Sequence, residues 1–169
     1  MRSLLVILCL VISIDVYSCV VAPDSMWDSN QELVNSTPHI ALARVTDFQP
    51  GKTGWVHGKF EFEVIENLKG NPPTTFSLDG YQYGKIEVAP GDFKEHKDPA
   101  FWAYDAGNSI LPGDCSAYGI FYKGGQYLIF FRDESHPRAF EEIASAKDLW
   151  LSVVNLLIQD EATSDAISD

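Results

Sequence analysis

Cys19 is the residue of this chain whose position gives it the clearest chemical potential. It follows the apolar run 4–14, and Val16 and Ser18 suit a signal peptidase that cuts before Cys19. Cleavage there would make Cys19 the first residue of the exported protein. A free α-amine, a backbone carbonyl and a thiol would then lie on neighbouring atoms, so the sequence predicts a signal peptide at 1–18 and a reactive mature amino terminus.

Three states are possible for the Cys19 thiol. Removal of residues 1–18 takes Cys9 away and leaves Cys19 and Cys115, an even number that favours a disulfide bond in an exported chain. Closing a loop of about 100 residues is worth up to about 4–5 kcal/mol in the chain-entropy model. The alternatives are two unpaired thiols, or acylation of Cys19, which would consume its thiol and block its amine. Tyr17 fits a lipid-attachment signal poorly, and we favour the disulfide.

Other residues with chemical potential fit ordinary structural roles better. One group of side chains in the stretch 89–116 could gather around a metal ion: Asp92, His96, Asp98 and Asp114. Their spacing matches no zinc motif, so we interpret them as a hydrogen-bonded surface loop and predict no metal and no cofactor. The chain has no G-x-S-x-G motif and no Cys–His pair in a recognisable setting. Glu61 and Glu63 fall on the solvent face of a strand. We therefore predict no catalytic residues and no enzyme.

The stretch 89–116 is long and irregular, and loops of this length are typically functional or disordered. Phe101, Trp102 and Tyr104 favour an ordered loop that packs on the body of the protein. The same three aromatic residues could form a ligand platform, but we favour packing.

Length, composition and charge limit the classes of function. The chain has 169 residues, 46% of them apolar, and a formal net charge of −12. About 150 residues remain after export, enough for one domain with a core. The export segment removes one charge of each sign, Arg2 and Asp15, so the mature net charge stays at −12. This charge argues against nucleic acid and against anionic lipid as partners.

Several runs of residues predict strands. The run 40–48 begins apolar on both faces and should be covered on both sides. A turn region, 49–58, follows, and then 59–66 alternates so that Phe60, Phe62 and Val64 face inward. Further runs predict strands at the ranges 74–78, 85–88, 117–122 and 126–131.

The end of the chain predicts a hairpin and a helix. Gly124 and Gly125 separate two apolar runs and predict a hairpin there. Ser145 is the predicted cap of a helix over about 145–160, and 161–169 is a predicted acidic flexible tail. Five or six strands and one closing helix favour a mainly β fold, a small β-barrel of the OB type, with a sandwich as the alternative.

The chain resembles the netrin-like module, the fold of the amino-terminal domain of tissue inhibitors of metalloproteinases, over residues 19–132. The likeness depends on four features in order. They are Cys19 with Pro23 after it, the strand 40–45, the pattern 60–70, and Cys115 followed by the run 124–130. The simpler exported bacterial members are the most similar.

The resemblance implies a domain at 19–160 that binds a protein partner. In the inhibitors, the first cysteine places its amine and carbonyl oxygen on the catalytic zinc of a protease, whose open coordination position accepts them. The residue that follows enters the specificity pocket. The resemblance thus gives Cys19 and Val20 these roles, although Val21 stands where the inhibitors have a second cysteine. It predicts a secreted, periplasmic or cell-surface protein. A lipoprotein acylated at Cys19, with a structural or ligand-binding role, is the alternative.

Overall fold

The computed structural model describes residues 28–52, 54–82, 95–98, 119–132, 139–143 and 145–168. The predicted export segment 1–18 and the strand predicted at 85–88 lie outside these ranges.

The described residues form a mainly β fold with a carboxy-terminal helix. The elements in chain order are helix α1 (Asn30–Ser36), strands β1 (Ile40–Gly51), β2 (Gly54–Lys69) and β3 (Thr75–Gln82), a 3-10 turn (Glu95–Lys97), strands β4 (Gly119–Phe121), β5 (Gln126–Phe130) and β6 (Phe140–Glu142), and helix α2 (Leu149–Ser168). The six strands make one nearly closed, barrel-shaped sheet in the order β4-β3-β2-β1-β5-β6. The prediction of an OB-like barrel is confirmed.

Strand β1 is covered on both faces at its start, Ile40–Ala43, as its sequence predicted, whereas Thr46 and Asp47 further along are exposed. Ile40 and Leu42 pack with the two helices in one core, and Ala43 and Val45 pack in a second, aromatic core. The opposite faces of a strand alternate along its sequence, which explains this division. β1 also has a strand on each edge, because it pairs antiparallel with both β2 and β5.

Strand β2 follows the predicted alternation. Phe60 and Phe62 are buried in the aromatic core, Val64 packs partly against it, and Glu63 is exposed. The turn region predicted at 49–58 is wrong in its extent, because β1 continues to Gly51 and β2 begins at Gly54. The register between these strands shifts next to Pro50. A β-bulge accommodates a proline without ending the strand, so Pro50 did not mark a turn here.

The hairpin predicted around Gly124 and Gly125 is also wrong. β4 pairs parallel with β3, whereas β5 pairs antiparallel with β1, so the two strands lie in different parts of the sheet. The glycines do form a tight turn, with φ of +87° at Gly124. Its backbone bonds go to β1: Val45 N donates to Gly125 O over 3.0 Å, and Gly124 N donates to Val45 O over 2.9 Å. The turn therefore docks on β1 instead of closing a two-stranded ladder.

Helix α2 begins later and ends later than predicted. Asp148, not Ser145, caps it, since the Asp148 carboxylate accepts hydrogen bonds from the backbone N–H of Trp150 (2.9 Å) and Leu151 (3.4 Å). The helix continues to Ser168, through most of the segment predicted as a flexible tail. Glu161 in this extension pairs with Lys69 of β2 at 2.7 Å, which holds the helix against the sheet.

Phe121 closes the barrel between its two edge strands. Its ring lies 5.2 Å from the ring of Phe140 on β6, between centroids, and 5.1 Å from that of Phe62. Two paired glycines make room for it. A Cβ at Gly119 would lie 1.9 Å from Cζ of Phe121, and a Cβ at Gly80 would lie 2.7 Å from its Cδ2. The absence of a side chain at Gly119 and Gly80 leaves a gap that the Phe121 ring fills.

We expect Gly119→Ala to lower the free energy of unfolding by about 1–3 kcal/mol, the usual cost of overpacking a core. The added methyl group would displace the Phe121 ring. The measurement is urea denaturation of the wild type, Gly119→Ala, Phe121→Leu and the double variant. Because a leucine side chain lacks the distal ring atoms, the added methyl group should cost much less in the Phe121→Leu background. Equal costs in both backgrounds would contradict the role assigned to Gly119.

Candidate functional site

The predicted site residues lie outside the described part of the chain. This applies to the partner-binding residues Cys19 and Val20, to the proposed disulfide partner Cys115, and to the loop aromatics Phe101, Trp102 and Tyr104. The structure therefore leaves their roles as predictions. Among the described residues, Asp28 pairs with Arg132 just after β5, with Oδ2 and Nη1 3.3 Å apart.

A charged cluster holds His96 in the interior. The His96 side chain is 4% exposed, and its Nδ1 lies 2.7 Å from Oδ2 and 2.8 Å from Oδ1 of Asp148. Its Nε2 lies 3.3 Å from Oε1 of Glu141. Three separate elements supply these groups: the 3-10 turn supplies His96, β6 supplies Glu141, and the cap of α2 supplies Asp148. The prediction of a hydrogen-bonded surface loop is wrong for His96 in its position, because His96 is hydrogen-bonded but buried. Two carboxylates compensate this burial.

The cluster keeps His96 protonated. Burial alone would lower the pKa of His96, but the hydrogen bonds and negative charges of Asp148 and Glu141 outweigh it and raise the pKa to about 9. Burial works against ionisation of Asp148 too, yet the His96 hydrogen bond and charge keep its pKa below the usual value. The result is a fixed cation between two carboxylates. We call His96, Glu141 and Asp148 the clasp, because together they join three separate elements.

The described residues show no metal centre at the cluster. Across the ranges that the structure describes, no group of three His, Cys, Asp or Glu side chains has an arrangement suited to a metal ion. Asp98, one of the residues considered as a metal ligand, is exposed. Asp92 and Asp114 lie outside the described ranges.

A second polar cluster lies beside the first. The Tyr122 hydroxyl donates to Oε1 of Glu142 over 2.5 Å, and the Tyr127 hydroxyl accepts from the backbone N–H of Tyr122 over 3.3 Å. Burial raises the pKa of Glu142 and of both tyrosines. The raised pKa values keep both tyrosine hydroxyls protonated at neutral pH, and the bond from Tyr122 to Glu142 joins the end of β4 to β6.

An apolar cleft opens between β3 and β6, and the sequence analysis missed it. It has a volume of about 160 Å³. The side chains that define it are Phe76 and Leu78 of β3, Phe140 of β6, and Ile129, Phe131 and Arg132 at the end of β5. The partly buried Phe76 and Leu78 alternate with Ser77, which was the available sequence signal. The strands that flank Phe76 and Leu78 depend on the topology of the sheet. The predicted hairpin between β4 and β5 implied a strand order that differs from the observed one.

The comparisons with known proteins assign the chain to no family. No protein-family model matches it, and a search of curated proteins returns no match. Within the described ranges, no helix combines the length and the apolar character needed to cross a membrane.

The charged cluster should make stability depend on pH in a defined direction. His96 titrates near 6.5 when unfolded and near 9 when folded. Its stabilisation is complete below pH 6.5, decreases as the pH rises between these values, and is lost above pH 9. We expect the difference in unfolding free energy between the wild type and His96→Gln to shrink over this interval, with a slope of up to about 1.4 kcal/mol per pH unit. Urea denaturation at each pH measures it.

Asp148→Asn is the matched control for the clasp. Asparagine caps a helix about as well as aspartate but carries no charge, so the helix cap survives while the pair is lost. This variant should lose most of the pH dependence over the same interval. If the stabilities of the wild type and His96→Gln differed by a constant amount from pH 6 to pH 10, this result would contradict a protonated His96 in the clasp.

Proposed function

We propose that this chain is an exported protein-binding module of the netrin-like type, in which the mature amino terminus at Cys19 contacts the partner. The observation that carries the proposal is the architecture: a nearly closed six-stranded barrel with a carboxy-terminal helix. This is the architecture that the resemblance to the netrin-like module requires. The resemblance itself depends on the order of sequence features from Cys19 to the run 124–130.

The described chain limits how far the amino-terminal segment can reach. Asp28 is held by Arg132, directly after β5. Cys19 precedes Asp28 by nine positions, and an extended chain spans at most about 3.3–3.6 Å per residue, so a segment of this length reaches no more than about 30 Å from this anchor. A short segment that starts from a fixed point restricts where the first residue can go, which reduces the entropy lost on binding.

The specific form of the proposal is inhibition of a zinc metalloprotease. An α-amine has a pKa of about 7.7–8, so a metal ion can bind it deprotonated near neutral pH. The amine and the carbonyl oxygen of Cys19 would together fill the open zinc position and displace the attacking water. Val20 would occupy the specificity pocket, and a bond from Cys19 to Cys115 would keep the amino terminus rigid.

Mass spectrometry of the exported protein tests the amino terminus. We expect a chain that begins at Cys19 with a free amine and a mass two hydrogens below that of the reduced form. A diacylglyceryl group on Cys19 would overturn the inhibitor proposal. It would instead support the lipoprotein alternative, which rests on the position of a cysteine directly after the apolar export segment.

Inhibition is tested with mature protein and a form extended by one alanine before Cys19. The extension removes the free amine from Cys19 but leaves the barrel intact. Against a panel of zinc metalloproteases, we expect the mature form to inhibit at least one and the extended form to be at least a hundredfold weaker. Equal inhibition by both forms would exclude chelation through Cys19, and a panel without any inhibition would remove the inhibitor form of the proposal.

A further inference from the structure

The outer edge of β3 is only partly covered by strand pairing. On one side, residues 75–81 pair with β2. On the other side, β4 pairs with Gly80, Tyr81 and Gln82 alone. Among the strands of the described chain, none pairs with the outer edge of Thr75–Asp79. β6 is the other end of the same sheet, with β5 as its one described neighbour.

The register shows which backbone groups point to this edge. Val64 N donates to Thr74 O over 2.9 Å, so Thr74 directs its backbone toward β2. Backbone direction alternates along an antiparallel strand. Phe76 and Leu78 therefore also point their N–H and C=O groups to β2. Thr75, Ser77 and Asp79 point theirs outward, in line with the β4 pairing that begins just beyond them.

The apolar cleft lies directly beside this edge. Phe76, Ser77 and Leu78 form one wall, and Ala139 and Phe140 of β6 form the other. Its volume of about 160 Å³ is close to that of the engineered cavity of about 150 Å³ that holds benzene. One leucine or phenylalanine side chain fits a space of this size. An edge and an adjacent apolar hole are the two parts that β-strand addition uses for affinity and specificity.

The charges around the cleft favour a basic occupant. Across the sheet from the edge, Glu61 and Glu63 lie opposite Ser77 and Thr75, and Lys59 lies opposite Asp79. On β6, Glu141 and Glu142 follow the lining residue Phe140, and Glu142 bonds Tyr122. The one basic side chain in the described lining, Arg132, is already paired with Asp28. His96 balances part of the charge of Glu141. The chain as a whole carries −12. Lysine or arginine residues that flank an apolar anchor would meet complementary charge here.

We propose that the edge Thr75–Asp79 binds an extended segment of a partner protein by strand addition, with one apolar side chain in the cleft and basic residues on either side of it. The bound segment extends the sheet by one strand of about five residues, or about 16 Å. This inference goes beyond the proposed function, because the edge would recognise a peptide whether or not the amino terminus binds a protease.

The test uses the exported chain and the acetylated, amidated peptide Lys-Thr-Phe-Thr-Lys as the probe. Its binding is followed by chemical-shift changes in labelled protein. We expect saturable binding with the largest changes at residues 75–79 and 139–142. The peptides Lys-Thr-Ala-Thr-Lys and Glu-Thr-Phe-Thr-Glu should each bind at least tenfold more weakly. No binding of the first peptide, or equal binding of the acidic one, would overturn the proposal.

Two kinds of variant test the backbone pairing itself. Ser77→Pro removes an outward N–H and should weaken binding at least tenfold, whereas Ser77→Ala keeps the N–H and should bind within twofold of the wild type. Peptides that are N-methylated at alternate positions give the same test without a change to the protein. The peptide whose methyl groups face β3 should lose binding, and its counterpart should keep it. Equal binding of the two methylated peptides would exclude strand addition.

The remaining outcomes separate this proposal from its rivals. The form extended by one alanine before Cys19 should bind the peptide within twofold of the mature form, so loss of inhibition and loss of peptide binding are independent results. Slow hydrogen exchange at the Ser77 amide of the free monomer would mean that the chain's own residues already pair with the edge. A dimer that the peptide dissociates would mean that a second copy occupies it. Either result would overturn the proposal.

Discussion

The fold depends on one strand that has to bury both of its faces. Ile40 and Leu42 contact the helices while Ala43 and Val45 contact the aromatic core, so β1 separates two apolar layers that would otherwise have no common wall. Over Ile40–Arg44 both of its edges are also paired, with β2 on one side and β5 on the other. This first part of β1 therefore fixes the order of its neighbours in the sheet. The less constrained strands, β4 and β6, lie at the two ends of the sheet.

A strand with an alternating sequence could be predicted because the spacing of its apolar residues is enough to indicate which face is buried. Phe60 and Phe62 alternate with acidic residues, and this pattern has one good solution, a strand with a buried face. The topology could not be predicted in the same way. Gly124 and Gly125 specify a tight turn, but they do not specify which strand accepts its hydrogen bonds. Val45 accepts and donates them here, and that choice depends on the packing of distant residues such as Phe121.

The charged cluster was hidden from the sequence for a similar reason. His96, Glu141 and Asp148 are up to 52 positions apart, and each has an ordinary explanation on its own. Only the folded chain brings a 3-10 turn, an edge strand and a helix cap to one point. Asp148 has two roles there, because its carboxylate accepts the first N–H groups of α2 as well as the His96 proton. The sequence could indicate roughly where α2 begins, but it could not indicate that Asp148 pairs with His96.

Lys69 has a consequence for how the molecule opens. Its ammonium group bonds the carbonyl oxygen of Val34 at the end of α1 over 2.8 Å and the carboxylate of Glu161 in α2 over 2.7 Å. One side chain at the end of β2 thus joins both helices to the longest strand. Detaching either helix from the long hairpin therefore breaks a bond of the same ammonium group that holds the other helix. Local opening of the two helices is coupled through this one side chain.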